Sequence, residues 1–174
     1  MTAKPKKGLL QIYTGDGKGK TTAALGLALR AAGRGLRVAF IQFCKGQTSG
    51  EHLFVEKYPA FELLHPGSGD IFTSPDAQLK KEAEETLILA ESKIIGGNYE
   101  LIVLDELNIA IYRQFLTIEQ VLDLVDKKPE PLELVITGRY APTALVKRAD
   151  LVTEMLAIKH PFESGQPARL GIEY

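Results

Sequence analysis

Tyr13-Thr14-Gly15-Asp16-Gly17-Lys18-Gly19-Lys20-Thr21-Thr22 decides the fold of this chain. The apolar run Leu9-Leu10-Gln11-Ile12-Tyr13 leads into it, and Ala23-Ala24-Leu25-Gly26-Leu27-Ala28-Leu29-Arg30 follows. The order is strand, glycine-rich loop, helix. Gly19-Lys20-Thr21 reads as the end of a phosphate-binding loop. Glycines let the backbone curl until its N–H groups face one anion at the positive end of a helix. Lys20 is placed to reach phosphate oxygens, and the Thr21 hydroxyl to sit on Mg²⁺. The usual spacing puts a further glycine at position 14. Thr14 stands there and the first glycine is Gly15, so the loop is one residue short.

Working outward, Gly33-Arg34-Gly35 stops the helix. Leu36 to Phe43 is a largely apolar run of strand formers, as in a parallel sheet buried on both faces. Strand, helix and strand make a right-handed βαβ unit. Lys45 to Glu51 is a loop at the carboxyl end of the second strand, where open α/β sheets bind ligands. A short helix over Glu51–Lys57 and a strand over Phe61–Leu64 follow. His65 to Pro75 is a second glycine-rich loop before a long amphipathic helix, Asp76 to Ile95. Leu101-Ile102-Val103-Leu104-Asp105-Glu106 is a buried strand ending in two carboxylates, the Walker B pattern, which orients Mg²⁺ directly or through water. Further on, the sequence predicts a helical turn over Ile109–Phe115 and a helix from the capping box Thr117-Ile118-Glu119-Gln120 to Lys127. It then predicts a strand over Leu132–Thr137, a short helix after Pro142, a strand over Leu151–Met155, and a tail ending in an edge strand or hairpin.

This alternation predicts an α/β three-layer sandwich with a mostly parallel central sheet, of the P-loop, RecA-like kind. Residues 1–7 read as a flexible basic tail and residues 8–174 as one domain. The length of 174 residues allows a sizeable core. A net charge of −1 argues against bulk nucleic-acid binding. No run approaches a membrane span, and the single cysteine, Cys44, precludes an internal disulfide. The expected compartment is the cytoplasm.

The candidate site residues carry different readings. Asp105 is a metal ligand or a helix-starting carboxylate after a strand, and the P-loop favours the metal role. Glu106 contacts metal or ligand, or pairs with a basic residue. Lys18 is either solvated or a phosphate contact. Arg139, at the end of a strand, is a phosphate or ribose contact or a surface ion-pair partner. His52, His65 and His160 lack a zinc-binding pattern, and Cys44 reads as an inert core thiol.

Beyond the generic loop, residues 13–26 resemble the shortened P-loop of the P-loop-type corrinoid adenosyltransferases. Gln42-Phe43-Cys44-Lys45-Gly46 with Gly50-Glu51 resembles the block after their second strand. Val103-Leu104-Asp105-Glu106 resembles their Walker B strand. Thr137-Gly138-Arg139 with Ala141-Pro142, Ala149 to Met155, and Lys159-His160-Pro161-Phe162 through Gly171-Ile172-Glu173-Tyr174 resemble their closing blocks. The similarity runs from about residue 8 to the end.

The resemblance implies transfer of the 5′-deoxyadenosyl group of ATP to the Co(I) of a reduced corrinoid, with release of triphosphate. It implies ATP bound in reversed orientation, with Thr14, Gly15, Asp16, Gly17, Lys18, Gly19, Lys20, Thr21, Thr22 and Arg139 around it. Mg²⁺ or Mn²⁺ would lie at Thr21 and Asp105, and Glu106 is a carboxylate of the site. The catalytic set it implies is Lys20, Thr21, Asp105 and Glu106. Phe72 and Thr73 would face the corrinoid, with Ser74 standing where the family segment carries tryptophan. A homodimer and a reducing partner such as a flavoprotein reductase are implied too. The competing reading from the loop alone is a P-loop phosphohydrolase or small-molecule kinase.

Overall fold

The computed structural model describes residues 7–174. The first strand, β1 (Leu10–Thr14), enters the glycine loop, and α1 (Lys20–Ala32) leaves it. There follow β2 (Val38–Gln42), α2 (Gly50–Lys57), β3 (Glu62–Leu64) and the long α3 (Asp76–Ile95). Next come β4 (Leu101–Asp105), α4 (Leu107–Tyr112), α5 (Ile118–Asp126), β5 (Glu133–Thr137), α6 (Thr143–Val146) and β6 (Leu151–Glu154).

The strands form one six-stranded sheet in the order β3-β2-β4-β5-β1-β6. Every strand pairing is parallel. All five residues of β2 and of β4 are buried, as expected for interior parallel strands with helices on both faces. On one face Ala24, Ala28 and Ala31 of α1 pack on Phe40, Val103 and Val135. Small residues along α1 let this helix lie close to the sheet. On the other face Leu79, Ala83 and Ala90 of α3, with Leu107 and Ala110 of α4 and Val121 and Leu124 of α5, cover Ile12, Ile41, Leu104 and Ile136. The expected three-layer α/β architecture is present. Because all strands point one way, the carboxyl ends of β1, β2, β4 and β5 meet along one edge.

Two local readings differ from the sequence. The turn after Walker B is α4 over Leu107–Tyr112 rather than Ile109–Phe115. Glu106 starts it in the left-handed region (φ 61), and Gln114 (φ 58) ends it. The Phe115 N–H donates to Ala110 O and the Gln114 N–H to Ile111 O, a Schellman arrangement with glutamine in the usual glycine place. The carboxyl-terminal segment forms no strand. A 3₁₀ turn over Pro161–Ser164 is followed by a turn in which Arg169 pairs with Glu173. Prolines at 161 and 167 deny the segment a ladder, and the i,i+4 pair favours a local turn. Finally, the basic tail read over residues 1–7 lies, save for Lys7, outside the described residues.

Candidate active site

The loop between β1 and α1 is shaped by Gly19, which caps α1 at φ 118 with no side-chain hydrogen bond to the helix. The first N–H groups of α1 therefore have no side-chain partner at that end and form an anion site. Gly17 is there for closeness: its N–H donates to Met155 O at 2.7 Å, and a Cβ would sit 2.7 Å from Leu156 O. The backbone following β6 thus braces the loop. Lys20 is only 7% exposed and curls into the loop, donating from Nζ to Gly15 O and Gly17 O, each at 2.7 Å. Burial pulls the Lys20 ammonium below its usual pKa, with Glu106 the largest opposing charge.

The opposite wall is the end of β4. In the parallel register Gln42 lies beside Asp105. Gln42 Nε2 donates to Asp105 Oδ2 at 3.2 Å, and Thr137 Oγ1 donates to Asp105 Oδ1 at 2.6 Å. The same Thr137 oxygen accepts the Glu106 N–H at 3.0 Å. Asp105 is buried, and desolvation raises its pKa against the hydrogen bonds of Thr137, Gln42 and Thr21. Glu106 is pushed up to about 7, first by burial and then by the Asp105 charge. Two adjacent carboxylates with raised pKa values beside a buried lysine mark a site built to receive charge.

The oxygen set fits a hard divalent cation. Thr21 and Asp105 lie together, Glu106 follows, and the buried Gln42 Oε1 has no hydrogen-bond partner among the described residues. No group of three or more His, Cys, Asp or Glu side chains able to hold a metal exists among the described residues. Mg²⁺ commonly takes one or two carboxylates and completes its shell with phosphate and water, so the set suits an ion that arrives with a nucleotide.

The other residues named from the sequence lie on the loop, at the end of β5 and on the turn before α3. Arg139 Nη2 donates to Asp16 O at 3.2 Å, so the end of β5 reaches the loop. Thr14 Oγ1 accepts the Ala141 N–H at 3.2 Å. Thr22 faces solvent. Lys18 donates from Nζ to Ile172 O at 2.7 Å and lies 3.4 Å from Glu173, tying the loop to the carboxyl-terminal turn. Phe72 is 91% exposed. It stands on a tight turn in which Asp70 accepts the Phe72 N–H and Ser74 Oγ accepts the Asp70 N–H. Ser74 closes that turn, and Thr73 is exposed beside it.

The sequence reading passed over Gln42, Thr137 and Glu51 as site residues. Glu51 pairs with Lys45 at 2.7 Å and accepts from Gln42 Nε2 at 3.3 Å. Burial alone would raise the Glu51 pKa, but the Lys45 and Ser49 hydrogen bonds bring it down to about 2. The available signal was positional: each of these residues ends a strand or opens a helix at the ligand-binding edge. Two other side chains have structural work. His52 Nδ1 accepts the Ser49 N–H in a capping box and packs edge-on against His65, with ring centroids 4.2 Å apart. Burial pushes the Cys44 thiol up to about 12, so it is inert at neutral pH.

Glycine loop, buried lysine and paired carboxylates on a parallel sheet define a P-loop nucleotide-binding domain. The fold agrees with a crystal structure of the RadB recombinase, at a TM-score of 0.51 and 20% identity over 86% of this chain and 74% of that one. The sequence profile of the ATP:corrinoid adenosyltransferases BtuR/CobO/CobP matches residues 6–174. The chain belongs to this family of transferases. Corrinoid adenosyltransferases of Pseudomonas aeruginosa and a Sinorhizobium species are each 36% identical to it. They align with 99% of this chain and with 86% and 83% of their own lengths. The Escherichia coli K12 corrinoid adenosyltransferase is 32% identical over 99% of this chain and 88% of its own.

Proposed function

We propose that this protein transfers the 5′-deoxyadenosyl group of ATP to the cobalt of a reduced corrinoid. The observation that carries the reading is the one-residue-short loop around Lys20, set against Asp105 and Glu106 in a chain of this family. Co(I) donates an electron pair to C5′ of the ribose. The C5′–O bond breaks, and triphosphate leaves with that bonding pair. No proton is removed from the nucleophile, so no general base is needed.

The chain's task is to position the leaving group and spread its charge. Lys20 turns from the Gly15 and Gly17 carbonyls to phosphate oxygens, while the N–H groups at the start of α1 face the same anion. Thr21, Asp105 and Glu106 would hold Mg²⁺ or Mn²⁺, which adds positive charge against the triphosphate when bound. Thr137 and Gln42 fix the Asp105 carboxylate.

The finer readings follow from the family. Phe72 and Thr73 face the corrinoid, a reducing partner such as a flavoprotein reductase supplies Co(I), and the enzyme works in the cytoplasm as a homodimer. The exposed apolar residues Leu156, Ile158 and Leu170 beyond β6 support an interface between copies. That no helix among the described residues is long and apolar enough to cross a membrane is compatible with this location.

The test is incubation with ATP, Mg²⁺ and chemically reduced cobalamin. The expected result is a light-sensitive adenosylated corrinoid and one triphosphate per turnover. Release of orthophosphate with no carbon–cobalt bond would overturn the proposal and favour a phosphohydrolase or kinase.

A further inference from the structure

Tyr112, the last residue of α4, and Tyr140, just beyond β5, stack at the rim of the site. Their ring centroids are 4.2 Å apart and the planes are inclined by 32°. Both remain largely open to solvent, at 58% and 47% exposed. A stacked aromatic pair left outside the core is a surface with a use.

Tyr140 also carries backbone strain. Its φ is 62, in the left-handed region that bulky residues rarely adopt. The residues on either side hold it there: Arg139 donates to Asp16 O and the Ala141 N–H to Thr14 Oγ1, both on the nucleotide loop. Strain of this kind persists where the surroundings over-determine it, and it clusters at ligand sites. The placement of the ring is thus fixed by the same loop that receives the triphosphate.

Arg113, next to Tyr112, pairs with Asp76 at 2.7 Å, which ties the end of α4 to the start of α3. Four residues before Asp76 stands the exposed Phe72. The turn that carries Phe72 thus runs into the helix start that is pinned beside Tyr112, where Tyr112 and Tyr140 present two exposed rings. A purine base needs one such face. A corrinoid is a wide macrocycle with apolar edges, and two neighbouring tyrosine rings offer it a broad apolar face.

We infer that Tyr112 and Tyr140 form a shelf that binds the corrinoid ring beside the nucleotide loop and so set the enzyme's affinity for that substrate. The inference rests on the adenosyltransferase reading above.

Tyr140→Gly is the informative variant, because glycine adopts a positive φ without strain and the fold should be kept. The wild type, Tyr140→Gly, Tyr140→Phe and Tyr112→Ala are compared in the adenosylation assay with chemically reduced cobalamin. Equilibrium dialysis against hydroxocobalamin measures binding without turnover. Tyr140→Gly and Tyr112→Ala should raise both the cobalamin KM and the dialysis Kd about tenfold, the loss of one stacking surface. The ATP KM and kcat should stay within about twofold, which marks a loss of ground-state binding only. Tyr140→Phe should behave as wild type, and thermal unfolding of Tyr140→Gly should not move downward. Unchanged cobalamin values in the two ring-deleting variants would overturn the inference. So would a rise in the ATP KM alone, which would give the shelf to adenine, or loss of the dimer with both KM values unchanged, which would give it to a second copy. A wild type that neither binds nor adenosylates cobalamin fails the function itself; an active wild type with indifferent variants fails the shelf alone.

Discussion

Thr137 donates its hydroxyl to Asp105 at 2.6 Å, across 32 residues of sequence, while the same oxygen accepts the Glu106 N–H at 3.0 Å. One buried hydroxyl at the end of β5 thereby holds the Asp105 carboxylate and the Glu106 backbone that follows it. Thr137→Val should remove both bonds, the donor to Asp105 and the acceptor of the Glu106 N–H, at a cost of about 1–3 kcal/mol in stability. Adenosylation should fall at least about tenfold, the size of effect expected when a charge-stabilising group is misplaced. Thr137→Ser should restore most of both, as read by thermal unfolding and by cobalamin turnover.

Lys20 is the one buried cation that the loop encloses among the described residues. Lys20→Ala should lower kcat/KM for ATP at least about tenfold through loss of a contact to the departing triphosphate. An unchanged turnover in the assay would remove Lys20 from the mechanism.

Glu106 gives the ligand-free protein a distinctive pH response. Its pKa is raised from 4.5 to about 7 by burial and by Asp105. Between those values the folded state holds a proton that the unfolded state has released. The unfolded state binds fewer protons, so stability falls as pH rises through this window and levels off above it. Thermal unfolding from pH 5 to 8 should show a declining midpoint that flattens in Glu106→Gln. Mg²⁺ with ATP should flatten the wild-type curve too, since a cation at the carboxylates favours their charged form.

Two glycines should respond in opposite directions. Gly26 sits inside α1 with open space around a Cβ, so Gly26→Ala should add about 0.5–1 kcal/mol of stability. Gly15 has φ 93, and a Cβ would lie 2.4 Å from Met155 O. Gly15→Ala should therefore destabilise the protein and abolish nucleotide binding, measured by thermal unfolding and by a nucleotide titration.

Much of this was legible in the sequence for local reasons. The span Asp76–Ile95 of α3 follows from its amphipathic pattern and the glycines after it, and β2 and β4 from their uninterrupted apolar runs. The placement of the loop after β1 and of Asp105 at the end of β4 follows from spacing. Gln42 and Thr137 did not, because their roles come from sheet register: β2 and β5 flank β4, and only that pairing brings an amide and a hydroxyl to Asp105. The bounds of α4 were missed because Glu106 and Gln114 adopt positive φ without being glycine. Lys18 had two open readings, and its partners in the carboxyl-terminal turn lie more than 150 residues away in sequence.

The inward fold of Lys20 turns nucleotide binding into an exchange. Without ligand its ammonium already satisfies the carbonyls of Gly15 and Gly17. An incoming anion has to replace two hydrogen bonds before it gains any, each worth about 1 kcal/mol net. Binding would trade the internal hydrogen bonds of Lys20 for bonds to phosphate, so the net gain would come from the contacts made beyond that exchange, at the N–H groups of α1 and along the rest of the polyanion.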